Sequence, residues 1–158
     1  MARRFDLSKP GLTKKLARFA ELTALPNSVE IPSAYKLTDF YLKGKWAADH
    51  FNNDLPITLE LACGKGEYSV GQAKLFKNRN FIGVDIKGNR MWKGAKEAMA
   101  EGLTNVAYLR TRIDHIENLF IKDEVEEIWI IFPDPQKEKE RKRLTSPLFL
   151  DRYRKILK

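Results

Sequence analysis

The chain has 158 residues, 43% hydrophobic side chains and a formal net charge of +8, which fits one globular domain with its own core and excludes a disordered chain or a string of domains. No apolar run approaches the roughly 20 residues needed to cross a bilayer, and the opening MARRFDLSKPG has charges but no apolar stretch, so it does not read as a secretory signal. A single cysteine, Cys63, excludes a disulfide framework within the chain. The expected setting is therefore reducing and cytoplasmic.

The charge is unevenly spread. Residues 1–50 carry 9 basic against 5 acidic side chains, residues 51–136 carry 11 against 13, and residues 137–158 carry 9 against 3. Basic flanks around a near-neutral middle fit a polyanion lying across the ends. From charge alone, solvated lysine-rich helices fit equally well.

In chain order, residues 1–56 read as a basic N-terminal arm packed on the domain. Within it, Leu12, Leu16, Phe19 and Leu22 recur every three or four positions between Pro10 and Pro26, which predicts a short amphipathic helix. Residues 28–56 are aromatic, punctuated by Pro32 and Pro56, and read as irregular. From 57 onward short β-prone runs alternate with helical stretches. Strands are expected at 57–62, 81–86, 105–110 and 125–132, and helices at 69–76, 88–102 and 114–120. A last helix is expected over 146–158, with Ser146 as N-cap and Pro147 in its first turn. The fourth strand, VEEIWIIF, is nearly all apolar at its end, as in a sheet covered on both faces. Trp92 and Trp129 read as core.

Strand alternating with helix predicts an α/β fold with a doubly wound parallel sheet of Rossmann-like type, spanning 57–158. Ligands bind such sheets outside the carboxyl ends of the strands. Glu60 to Gly66, Asp85, Arg110 to Asp114 and Phe132 to Pro135 should then face one cleft. Gly64 and Gly66 allow a tight turn and a close approach of ligand to main chain. Asp85, at the end of the second strand, suits the two hydroxyls of a ribose.

A dinucleotide fingerprint would place a third glycine where Ser69 stands, and no Gly-Lys-Ser/Thr phosphate loop is present. Glu60 would repel a pyrophosphate. A carboxylate in this loop suits a cationic, phosphate-free nucleoside, and S-adenosylmethionine has that chemistry. Asp134 is bracketed by Pro133 and Pro135, which hold its backbone extended and fix a carboxylate at the mouth of the sheet. The run KEKERKRL (137–144) adds five basic residues directly after it, placed to hold phosphates. Cys63 reads as a small residue packed behind the loop, and His50 and His115 form no metal-ligand spacing, so no metal is expected.

The motifs LELACGKGEY, FIGVDIKGNRMWKGA, NVAYLR and, above all, FPDPQ followed by a basic run and LTSPLFLDRYRKIL resemble the bacterial tRNA (guanine-N7)-methyltransferases of the class I S-adenosylmethionine-dependent type. The likeness covers 57–158. It implies methyl transfer from S-adenosylmethionine to N7 of a tRNA guanine, in the variable loop. It implies Glu60, Gly64, Gly66, Asp85, Arg112 and Asp134 as cofactor contacts, and Asp134 also as a catalytic or positioning carboxylate. Lys137 stands nearest to the family's substrate-touching lysine. The chain departs from the pattern in four places. Ala62 replaces the first loop glycine, and Arg112 stands where the family has an aspartate near the adenine, with Asp114 two residues on. Gln136 replaces a tryptophan, and the chain stops at Lys158 where the family continues with further strands. Two alternatives stay open: a class I methyltransferase with another substrate, and a noncatalytic RNA-binding module.

Overall fold

In the computed structural model, which describes residues 10–31 and 39–158, five strands form one parallel sheet. They are β1 (Ser28–Glu30), β2 (Ile57–Leu61), β3 (Asn80–Asp85), β4 (Val106–Arg110) and β5 (Glu127–Trp129). Their order across the sheet is β1-β4-β3-β2-β5. From β2 the chain steps outward to β3 and then β4, and it returns to the other side of β2 for β5. That reversal leaves a crevice between the carboxyl ends of β2 and β5, where open α/β sheets take their ligands.

The period of two along each strand feeds two cores. Ile57, Leu59 and Leu61 of β2, Ile82 and Val84 of β3, and Ala107 and Leu109 of β4 face one side. They pack there with α4 (Ile116–Leu119), α5 (Pro147–Arg154) and the segment around Trp46. Phe81, Val106 and Tyr108 face the other side, against α1 (Pro10–Ala24), α2 (Glu67–Leu75) and α3 (Gly88–Ala100). This is the doubly wound α/β sheet that the alternation of elements predicts. No helix among the described residues is long and apolar enough to cross a membrane.

The described residues of 28–56 are less irregular than the sequence implies. Ser28 to Glu30 extend the sheet by pairing with Tyr108 to Arg110, and Trp46–His50 form one π-helical turn. Trp46 is fully buried, stacks on Phe120 at 5.3 Å and donates its indole N–H to the Leu119 carbonyl at 3.0 Å. The amphipathic helix expected between Pro10 and Pro26 is α1. Residues 1–9 and 32–38, with Pro32 among them, lie outside the described residues.

Helix α3 ends in a Schellman motif: the Leu103 N–H donates to the Ala98 carbonyl at 3.0 Å and the Gly102 N–H to the Met99 carbonyl at 3.1 Å. Gly102 takes the left-handed conformation this requires (φ 64°). Ser146 precedes α5 but does not cap it through its side chain; its hydroxyl donates to the Arg141 carbonyl instead. The fourth predicted strand is cut to the three residues of β5, half-buried rather than covered on both faces, because β5 is the edge of this sheet. Trp92 and Trp129 are likewise half-buried. The Trp92 indole donates to Glu21 at 2.6 Å and its ring lies under Arg18 and Lys96.

Tyr108 organises the loop after β2. It is fully buried, and its hydroxyl donates to the Gly66 carbonyl at 2.8 Å. A Cβ at Gly66 would stand 2.2 Å from the Tyr108 ring, and one at Gly94 would stand 2.6 Å from both the Tyr108 hydroxyl and the Lys65 carbonyl oxygen. Gly94 therefore lets α3 pass close enough for its N–H to bond that carbonyl at 2.9 Å. Gly94→Ala is expected to cost about 1–3 kcal/mol in denaturant unfolding, as overpacking does. Gly71→Ala, on α2 with nothing within 4 Å of the added carbon, should be neutral or stabilising by up to about 1 kcal/mol.

Candidate active site

The glycine loop leaves β2 through backbone that most side chains resist. Ala62, Gly64 and Gly66 all have positive φ, at 58°, 57° and 72°. At Gly64 an added Cβ would meet nothing within 4 Å, so this glycine opens onto space rather than onto protein. Helix α2 starts directly after Gly66, so its first-turn N–H groups have no partner within the helix.

Asp85 closes the loop from the neighbouring strand. One carboxylate oxygen accepts the Gly64 N–H at 2.9 Å and the other accepts the Lys87 N–H at 2.9 Å. The carboxylate thus has a fixed position at the end of β3, with remaining lone pairs toward the cleft. Glu60 lies on the α2 face of β2 and is 6% exposed. Ser69 of α2 donates its hydroxyl to Glu60 at 2.5 Å. Burial raises the Glu60 pKa above the ordinary glutamate value of 4.5, the Ser69 bonds oppose the rise, and nearby Asp85 adds to it. Ser69, which marks the absence of a dinucleotide fingerprint, here serves as the partner of that buried carboxylate. The Cys63 thiol is buried and its pKa is driven well above 9.0, chiefly by desolvation, so it is no nucleophile.

Glu60, Gly64, Asp85, Arg112 and Asp134 all line one cleft of about 880 Å³. Asp134 is 75% exposed at its mouth, with the Lys87 ammonium 3.7 Å away. Arg112 faces Asp114 at 3.6 Å, so the position without the expected aspartate still has a carboxylate beside it. Ile86 and Ile113 add apolar surface near Asp85. Among the expected residues, Leu61, Gly66, Arg110, Pro133, Pro135 and Lys137 do not line the cleft. Gly66 supports it from beneath, against Tyr108. Lys137 is exposed, and it meets the neighbouring chain through its carbonyl, which accepts from Arg143 at 3.1 Å.

Lys65 and Phe132 fall in segments expected to face the cleft, whereas Tyr68 and Arg90 are lining residues that the sequence reading does not single out. Lys65, Arg90, Arg141 and Lys142 border the cleft and form no ion pair with any described residue. Tyr68 and Phe132 line it as well. The run 137–144 signals the two cations in bulk but not which side chains turn inward. Among the described residues, no group of three or more His, Cys, Asp and Glu side chains is placed to hold a metal ion.

The family model described as "Putative methyltransferase" matches residues 54–158. A tRNA (guanine-N(7)-)-methyltransferase of Bacteroides thetaiotaomicron is 53% identical over 145 residues, covering 91% of this chain and 58% of the relative. One of Christiangramia forsetii is 55% identical over 152 residues, covering 94% of this chain and 67% of the relative. The chain thus spans only part of the length of these relatives. Among solved structures, an S-adenosylmethionine-dependent methyltransferase from Aquifex aeolicus shares the fold, with a TM-score of 0.51 at 19% identity over 89% of this chain and 67% of that one. The parallel sheet, its glycine loop and these similarities together place the chain in the tRNA (guanine-N(7)-)-methyltransferase family.

Proposed function

We propose that the chain is the cofactor-binding and catalytic part of a methyltransferase that moves the methyl group of S-adenosylmethionine to N7 of a guanine in tRNA, in the variable loop. One observation carries the reading: a single cleft joins fixed carboxylates at its floor to unpaired cations at its rim. The floor suits a cationic nucleoside and the rim suits a polyphosphate chain.

The cleft fits the cofactor by its donor set. Asp85 offers lone pairs to a ribose diol, and Glu60 offers negative charge to the cationic amino acid end. Gly64 leaves room for a ligand against main chain, and Ile86 and Ile113 offer an apolar bed for a base beside Arg112 and Asp114. A pyrophosphate would meet Glu60 at the same place and be repelled. Lys65, Arg90, Arg141 and Lys142 hold tRNA phosphates across the opening.

Bound S-adenosylmethionine supplies a methyl on a cationic sulfur, which keeps the bonding pair as a neutral thioether when the N7 lone pair takes the methyl. N7 carries no proton, so no side chain here acts as a general base. The purine gains positive charge, and the Asp134 carboxylate stabilises that charge as it develops. The two prolines keep the carboxylate oriented, and alignment supplies the rest of the acceleration. Its contact with Lys87 is long and exposed, so substrate displaces it cheaply. In an A-form helix N7 lies in a deep, narrow groove, so the target must sit in an irregular region of the RNA.

The direct test is incubation with labelled S-adenosylmethionine and bulk tRNA, followed by mapping of the methylated base; label at a site other than guanine N7 would refute the assignment. Asp134→Asn should lower kcat on the order of 10- to 100-fold with cofactor affinity unchanged. Normal turnover in that variant would remove Asp134 from the role. Cofactor affinity should fall as Glu60 is protonated. Because its pKa is raised, that loss should set in above pH 4.5 as pH decreases. Glu60→Gln should bind more weakly at neutral pH and lack the acid limb. Calorimetric titration across pH reads both effects, and an unchanged acid limb would contradict Glu60 as its source.

A further inference from the structure

We propose that Phe132 is the platform on which the target guanine stacks, and that Tyr68 holds that ring in place. The inference rests on the methyl-transfer reading above and assigns the part of the site that grips the base. Phe132 is 76% exposed, the most exposed large hydrophobic side chain among the described residues. Yet it sits at the mouth of the cleft rather than on a bland surface. Tyr68, from the first turn of α2, packs on it with ring centroids 6.0 Å apart and planes inclined by 55°. Rings in such contact admit no base between them. Tyr68 therefore buttresses one side of Phe132 and leaves the other side open.

The Pro-Asp-Pro turn fixes what faces that open side. Phe132, Asp134 and Gln136 line the cleft while Pro133 and Pro135 do not, which is the alternation of an extended chain. The ring and the carboxylate thus project the same way, two residues or about 7 Å of extended chain apart. A purine lying flat on the ring brings its edge to Asp134. Cofactor adenine is not a rival occupant. The groups suited to the adenosine, Asp85 for its ribose and Arg112 and Asp114 for its base, follow β3 and β4, whereas Phe132 follows β5 on the opposite side of β2.

Aromatic rings are the usual platform for bases drawn out of irregular RNA. Here the chemistry adds a second reason. Methylation at N7 turns the purine into a cation, and a cation over an aromatic face is attracted by the ring quadrupole. The contact strengthens as the methyl transfers, so part of its effect belongs to kcat rather than to substrate affinity alone.

The test compares Phe132→Leu, Phe132→Ala and Phe132→Trp with the wild-type chain in tRNA methylation, with cofactor binding measured by calorimetry in each. Leu and Ala should lower kcat/KM about tenfold, the value of one stacking contact, with part of the loss in kcat. Trp should stay within about twofold, because it keeps the ring face. Cofactor affinity should not move in any of them. In Phe132→Trp, 7-methylguanosine monophosphate should quench the added indole more than guanosine monophosphate does, relative to the same titrations of wild type. That readout needs no turnover. Equal activity in Leu and Trp, lost cofactor binding in Ala, or equal quenching by the two nucleotides would overturn the platform. A wild-type chain that modifies no tRNA guanine would instead refute the reading on which the platform rests.

Discussion

A buried tyrosine under a loop of bare backbone sets the shape of this molecule's working end. Tyr108 reaches from β4 beneath β3 and props the turn after β2, and its hydroxyl binds the Gly66 carbonyl. Burial pushes the phenol pKa far above its ordinary value, so the group remains a donor at any working pH. Gly66, Gly83 and Gly94 each leave the space the ring needs; a Cβ at Gly83 would lie 3.0 Å from it. The tyrosine, the loop, the neighbouring strand and α3 thereby form one rigid floor. On that floor the Gly64 N–H points at Asp85, and the carboxylate is positioned before any ligand arrives. Preorganisation of this kind lowers the cost of binding.

Above the floor the cleft is sorted by depth. Glu60 is buried and Asp85 is tied down, whereas Lys65, Arg90, Arg141 and Lys142 lie at the margin. A cation with no phosphate fits inside, and a polyanion fits outside. Opposite arrangements would follow from a dinucleotide site, where a helix N-terminus and glycines greet phosphates at the bottom. Tyr68 and Phe132 line the same cleft, with their ring centroids 6.0 Å apart.

Much of this was legible in the residues. The alternation of short apolar runs with helical stretches gave the sheet, and the acidic positions at strand ends gave most of the cleft. What escaped depends on distant partners. Ser28 to Glu30 carry no strand pattern of their own and become a strand only because β4 offers an open edge. Phe132 falls in the segment expected at the cleft and does line it; its high exposure follows from β5 being an edge strand. Gly66 reads as a ligand contact, although its Cβ position is filled by Tyr108, a residue 42 positions away. Lys137 follows the Pro-Asp-Pro turn at the expected spacing. The turn at Gln136, with φ of 42°, redirects the chain, and Arg141 and Lys142 come to the cleft instead.

Titration of the chain by calorimetry with S-adenosylmethionine and, separately, with NAD tests the central claim most directly. A floor of fixed carboxylates predicts saturable binding of the sulfonium nucleoside and none of the dinucleotide. Binding of NAD, or of neither, would contradict it.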